Sequence, residues 1–329
     1  MVDNSIGVHS IDRIAGSRVP EPKSVHFYWG AKNADGRPTA WVAPAGEARG
    51  KQLSAESREW YWPTGGGIVI AGPAASRRLF LFLFRVRTNP RGKGVWTFTV
   101  VGTTLAVIDN AAEPVDRWHV RLSDIPHPLR PKTRNDTPAD AEMMWGTSAC
   151  FDPESEHSSH SALIYGIRKT GSLNDALVLA RAPIEAIDQF DKWQFYDGKK
   201  SWVSSATASV PLADGLVSEF SVERLKINVR TVWTLVQCEP FLRKRIFLRT
   251  APTPQGPWSQ RMTVESVPDI DRNRSYFTYA AKGHAELSRP GELLITYLVN
   301  SNQFSDLIED TQIYRPKFLR LPASFLSSK

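Results

Sequence analysis

Three times along this chain a short apolar strand gives way to a proline and then a tryptophan. Leu105-Ala106-Val107 is followed by Pro114 and Trp118, and Leu177-Val178-Leu179-Ala180-Arg181 by Pro183 and Trp193. Ile246-Phe247-Leu248-Arg249-Thr250-Ala251 leads to Gly256-Pro257-Trp258. The tryptophans stand 75 and then 65 residues apart. That period is too long for most solenoids and suits four-stranded blades with long loops. In a blade each Trp covers the open face of its own sheet, a packing role. The recurrence predicts an all-β fold, a β-propeller, spanning residues 1–329 as one domain. A β-sandwich, the main rival, needs neither the period nor the repeated Trp.

The rest of the chain fits short strands joined by Gly-rich turns. Leu79-Phe80-Leu81-Phe82-Leu83-Phe84-Arg85-Val86 is apolar at nearly every position, which predicts a strand buried on both faces. Helical periodicity is scarce; Ile184 to Phe190 gives a turn or two at most. With 11 Trp, 15 Phe and 41% apolar residues, a large core is within reach and disorder is not expected.

The charge excess of +7 is spread along the chain, its densest run being Arg243-Lys244-Arg245. A nucleic-acid surface gathers its charge on one element, so a solvated basic surface is the reading here. Ile68 to Val86 is interrupted by Pro73, Arg77, Arg78 and Arg85, and no apolar run reaches membrane-spanning length. Cys150 and Cys238 lie in strand-like segments and are expected as buried free thiols, with a single disulfide as the alternative. The histidines show no metal-ligand spacing, and Gly65-Gly66-Gly67 lacks the Lys-Ser/Thr and helix of a phosphate-binding loop. No cofactor and no metal are expected, nor any nucleic-acid or membrane partner, and the chain is expected to be a monomer.

Several segments, in this order, carry a resemblance. They are Trp145-Gly146-Thr147-Ser148-Ala149, Tyr165-Gly166-Ile167-Arg168, Leu179-Ala180-Arg181 and Ser218-Glu219-Phe220-Ser221-Val222. Then come Gly256-Pro257-Trp258-Ser259, Tyr279-Ala280-Ala281-Lys282-Gly283-His284, Leu294-Ile295-Thr296-Tyr297 with Asn300, and Ile313-Tyr314-Arg315-Pro316-Lys317-Phe318. The series resembles a largely uncharacterised bacterial family of five-bladed propellers. That family is related to a group containing endo-D-arabinanases and is distantly similar to arabinan-cleaving glycosidases. The resemblance implies a five-bladed β-propeller, a carbohydrate partner and an extracellular location, although Met1-Val2-Asp3-Asn4-Ser5 does not read as a signal peptide. Relatives open with a secretion signal and an acidic Gly-Asp-Thr strand before an Asn-Ser-Ile segment. Here Asn4-Ser5-Ile6 comes at the start, so the first blade is expected to be incomplete. Ala285 replaces the proline that follows the histidine in the family.

Glycosidic bonds are hydrolysed between two carboxyl groups, one of them an acid with a raised pKa. Glu219, within the strand-like Leu216 to Val222, is the candidate acid. Alternation places it on one face with Val217 and Ser221. An edge or ion-paired carboxylate remains the plainer reading of the same residue. Asp3 and Asp152 are candidates for its partner. His284 is expected either to orient a carboxylate or to be satisfied by a loop carbonyl. Arg168 and Arg315, each ending an apolar strand, suit a bidentate clamp or a buried ion pair. Trp62, Trp145 and Tyr297 suit stacking on a sugar ring, with core packing as the alternative for each. Asn300 and Tyr314 complete the expected sugar-binding set. Three functions follow: first a glycoside hydrolase acting on furanoside-containing, arabinan-like polysaccharide, then a non-catalytic carbohydrate-binding propeller, and third a protein-interaction scaffold, which predicts a broad apolar or charged top face without a pocket.

Overall fold

A computed structural model describes residues 6–12, 21–28, 58–72, 76–92, 96–126, 143–152, 161–169, 175–199, 201–227, 230–241 and 243–327, with scattered positions between 30 and 44. Four antiparallel sheets follow one another along the chain. The first is β3 (Glu59–Ala71), β4 (Arg77–Thr88), β5 (Phe98–Ile108) and β6 (Val120–Asp124), in that spatial order. The second runs β7 (Met143–Asp152), β8 (Ser161–Arg168), β9 (Asp175–Pro183), β10 (Gln194–Tyr196) and β11 (Trp202–Val203), with β12 (Ala213–Leu216) also pairing β9. The third is β13 (Phe220–Ile227), β14 (Arg230–Cys238), β15 (Arg245–Ala251) and β16 (Met262–Ser266). The fourth has β17 (Tyr276–Gly283), β18 (Glu292–Ser301) and β19 (Lys317–Pro322). A separate hairpin, β1 (Ile6–Asp12) and β2 (Glu21–Tyr28), precedes them.

These sheets are the blades of a propeller. Their first strands converge on one axis. Thr64 Oγ1 donates to the Gly146 carbonyl (2.6 Å), tying β3 to β7. Val222 N–H donates to Ser148 Oγ (2.9 Å), tying β7 to β13. Gly283 N–H donates to Ser221 Oγ (2.7 Å), tying β13 to β17. Lys282 then reaches back to β3, where a Cβ added to Gly65 would lie 2.5 Å from its Nζ. The crowding explains the glycines: a Cβ at Gly66 would sit 2.2 Å from the Gly146 carbonyl oxygen.

The expectation of five blades is corrected to four among the described residues. Five was what the resemblance implied; the repeated tryptophans do not count blades, since each marks the passage from a third to a fourth strand. Trp118 lies between β5 and β6, Trp193 between β9 and β10, and Trp258 between β15 and β16. The Trp118 and Trp193 indoles donate to the carbonyls of Glu113 (2.8 Å) and Ile187 (3.0 Å) in their own connections. The fourth blade ends at a third strand and has no such Trp, so three tryptophans mark three of four blades.

Blades pack face to face through buried clusters. Phe80 and Phe82 of the first blade meet Trp145, Ile164 and Trp193 of the second. Phe84 and Val86 join Leu163, Tyr165, Phe220 and Trp233 across blades one to three. Val236 and Ile246 meet Leu293 and Ile295 across blades three and four. As expected, β4 is buried on both faces, Leu83 turning away from Phe82 towards Tyr61 and Val42. Among the described residues no such cluster joins blade four to blade one. The ring contact between Trp96 and Phe277, centroids 5.9 Å apart, bridges that seam. Both cysteines are free, Cys238 buried with its thiol pushed up to about 12 by that burial.

Candidate active site on the propeller axis

β13 and β17 run side by side in the same direction. Ser221 meets Gly283 N–H and Glu223 meets Ala285 N–H (2.6 Å), the same offset in both pairs. Glu219 therefore stands level with Ala281, just before the first residue of β13. His284 lies about 10 Å further along, at roughly 3.3 Å per residue.

The expected strand from Leu216 to Val222 is interrupted. Leu216 closes β12, Phe220 opens β13, and Val217 to Glu219 form the turn between them. Phe220 and Val222 plug into the core between blades, which leaves Glu219, Ser221 and Glu223 for the opposite, axial side. Half-buried Glu219 accepts no hydrogen bond from a described residue. Burial holds its carboxyl above the ordinary range, and the Lys282 ammonium partly offsets this.

A bulge in β17 brings that lysine round. Tyr279 pairs with Leu298 and Lys282 with Thr296, so three steps on β17 answer two on β18. Leu298 and Thr296 share a face, and the bulge puts Tyr279 and Lys282 on one face as well. Regular alternation would have opposed them. The extra residue is accommodated by Ala280, held at φ 54°. Burial lowers the Lys282 pKa and raises that of the Tyr279 hydroxyl, and Glu219 lies close enough to perturb both. The Asn300 side chain hydrogen-bonds the Tyr279 hydroxyl, and Tyr314 lies beside it.

Of the expected site residues, then, Glu219, Asn300 and Tyr314 come together around Tyr279 and Lys282. Trp62 enters through a run of rings: it meets Phe98 at 4.6 Å, Phe98 meets Trp96 at 5.9 Å, and Phe277 links Trp96 to Tyr279. Trp96, 43% exposed, is the open member of that run.

The others lie elsewhere. Trp145 is 1% exposed and packs edge-on against Trp193, so it fills the core and no sugar reaches it. Arg168 donates to the carbonyls of Thr207 and Ser209, pinning a loop beside its own blade. Tyr297 packs at the interface of blades three and four, near Glu265 and Asp269. Arg315 is exposed. Asp3 and the side chain of Asp152 lie outside the described residues.

His284 lies further along, past the end of β17. It helps line a cavity of about 880 Å³ with Glu223, Lys282 and Glu286, among others. Its Nε2 shares a 2.7 Å hydrogen bond with Thr296 Oγ1, and Nδ1 faces Glu286 at 3.9 Å. Burial lowers its pKa. Glu223 is raised to about 7, first by burial and then by the nearby Glu286, against the hydrogen bond from Ala285. Sequence reasoning passed over Glu223, although alternation from Glu219 points to it. Among the described residues no three His, Cys, Asp or Glu side chains are grouped to hold a metal, and no helix is long and apolar enough to cross a membrane.

The profile of one family, described as a domain of unknown function (DUF5005), matches residues 22–323. The chain belongs to the DUF5005 family. No curated protein matches it. Among solved structures, a candidate hydrolase from Bacteroides ovatus superposes over 87% of this chain and 67% of its own, with a TM-score of 0.57 at 16% identity. A Bacillus subtilis levansucrase variant covers 87% of this chain and 73% of its own, at 12% identity and a TM-score of 0.40. A β-xylosidase/α-arabinofuranosidase from a compost metagenome covers 78% of this chain and 91% of its own, at 8% identity and a TM-score of 0.29. The first of these likenesses is one of fold.

Proposed function

We propose that this DUF5005 chain is a carbohydrate-active propeller, a glycoside hydrolase of furanoside-containing, arabinan-like polysaccharide, with Glu219 as its general acid. The observation that carries this reading is the state of Glu219. It is a carboxyl beside the inner strands, without a described hydrogen-bond donor, and burial raises its pKa. An acid catalyst must keep its proton near neutral pH, and this environment favours the protonated form. The candidate hydrolase from Bacteroides ovatus shares the fold and is consistent with hydrolysis.

In this reading Lys282 and Tyr279 flank the scissile bond. Asn300 and Tyr314 set the hydroxyl of Tyr279, and exposed Trp96 offers a face on which a sugar ring stacks.

One observation favours a second reading, a non-catalytic carbohydrate-binding propeller. No described carboxylate is close enough to Glu219 to perturb it. Glu219→Gln separates the two. The assay is release of reducing sugar from arabinan, with binding of arabino-oligosaccharides followed by calorimetry. The hydrolase reading expects cleavage to fall by about 10²–10⁴-fold, the usual worth of a general acid, with binding kept. Binding without cleavage by the unmodified chain gives the second reading. Undiminished cleavage by the variant removes Glu219 from the chemistry.

A further inference from the structure

The cavity beside His284 shares Lys282 with the proposed hydrolytic site but extends beyond it, towards Glu223 and the turn after β17. It is walled by β13 from Ser221 to Lys226, the end of β17 and the turn that follows it, with Gly65 and Gly67 of β3 and Ser148 to Cys150 of β7. Its volume of about 880 Å³ is within the range of small-molecule sites. Neither Glu219 nor Tyr279 lines it.

The side chains around it have an uneven balance of charge. Arg224 and Lys226 of β13, Lys282 of β17 and Arg289 beyond the turn contribute four cations. Glu223 and Glu286 are the carboxyls. Lys282 has the least solvent of the four cations and no described carboxylate within 4 Å. A desolvated ammonium without a paired anion is costly, and a bound anion would relieve it. Glu223 spends one oxygen on Ala285 N–H, and its other accepts no hydrogen bond from a described residue.

We propose that this cavity binds a small sugar carrying a carboxylate or phosphate, its anionic group held by Lys282 and Arg289, with Glu223 entering as a neutral acid that donates its proton in a hydrogen bond to the ligand. A carboxyl among cations can serve an anion only when protonated, since its ionised form repels the ligand. Burial is the first cause that keeps Glu223 protonated, and the groups facing it act in both directions. Glu286 across the turn favours its protonated form, and the hydrogen bond from Ala285 opposes it. His284 gains a proton only below its ordinary range and then adds a further positive charge. Thr234 of β14, paired with Glu223, and Ser148, Ala149 and Cys150 of β7, which line the cavity, add no charged side chain.

Calorimetry tests this with glucuronate, glucose 6-phosphate, inorganic phosphate and glucose. With Glu223 titrating at about 7, the protonated fraction falls about tenfold between pH 6 and pH 8, and affinity is expected to fall with it. Binding at pH 8 should also take up a proton, read from the difference between two buffers of unlike ionisation enthalpy. Glu223→Gln, a permanent neutral donor, is expected to bind at pH 8 as the unmodified chain does at pH 6. Lys282→Met should lose the anion, with circular dichroism reporting whether it is folded. Preference for glucuronate or for glucose 6-phosphate names the anionic group. The proposal is overturned if both fail to bind, if glucose binds equally, or if inorganic phosphate alone binds as tightly. An affinity that does not change with pH also overturns it. Loss of cleavage in the Glu219 variant bears on none of these outcomes.

Discussion

Replacing Glu223 by Gln should stabilise the protein, and by an amount that grows with pH. Burial and Glu286 raise this carboxyl from 4.5 to about 7 in the folded chain. In the unfolded chain it titrates near 4.5. The folded state therefore holds a proton that the unfolded state has already released between those two values. The contribution to stability is whole below pH 4.5, declines through the window, and is gone above about pH 7. At 1.36 kcal/mol per unit, the loss is about 3 kcal/mol. Glutamine keeps an oxygen for Ala285 N–H and carries no charge to desolvate, so its folding has no such dependence. Urea unfolding at pH 4, 5, 6, 7 and 8 should show the two chains nearly equal at pH 4. The Gln variant should be about 2–3 kcal/mol the more stable at pH 8. Other titrating groups, His284 among them, cancel in the difference. A gap that is constant with pH, or one that favours Glu at pH 8, would refute the argument that Glu223 is held neutral by its surroundings.

Three further substitutions probe the axis. Gly65→Ala puts a Cβ against the movable end of Lys282, whereas Gly66→Ala meets the backbone carbonyl of Gly146 at 2.2 Å. Thermal melts should show the second costing about 1–3 kcal/mol more than the first. Ala280→Gly relieves a left-handed conformation worth about 1–2 kcal/mol for a residue with a Cβ, and gives back about 0.5–1 in chain entropy. A net gain of about 0.5–1 kcal/mol is expected in urea unfolding. A loss would mean the bulge is not strained. Trp145→Ala should cost about 3–5 kcal/mol, as for a buried core ring, in the same measurement. A small cost with weakened sugar binding would return Trp145 to the binding surface.

Much of the blade plan was legible because it is written in packing. Apolar alternation found the strands, and the repeated Trp found the passage between third and fourth strands in three blades. The count of blades was not legible from the same signal, since the fourth blade stops at β19 and carries no such Trp. Glu219 was visible as a carboxylate among apolar residues, but the break that moves it from mid-strand to a strand's mouth was not. Gly215 hints at a turn; nothing in Val217-Ser218 does. Lys282 and Tyr279 were hidden for a physical reason. Their shared face depends on a bulge whose left-handed residue is an alanine, where a glycine would have announced it. Glu223 needed only the alternation already applied to Glu219. Trp145 and Arg168 show the opposite limit: chemical type suggests a ligand, and only burial and backbone partners decide otherwise.

The joint between the last blade and the first differs from its three counterparts. Those are sealed by buried side chains; this one is bridged by rings at Trp96 and Phe277, with Trp96 partly in water. No described strand crosses it. Spreading the ring there would break no sheet ladder and open no interblade core. Among the described residues the two ends of the ring of blades are thus held by an aromatic contact and by the reach of Lys282 to Gly65, a looser closure than a shared core.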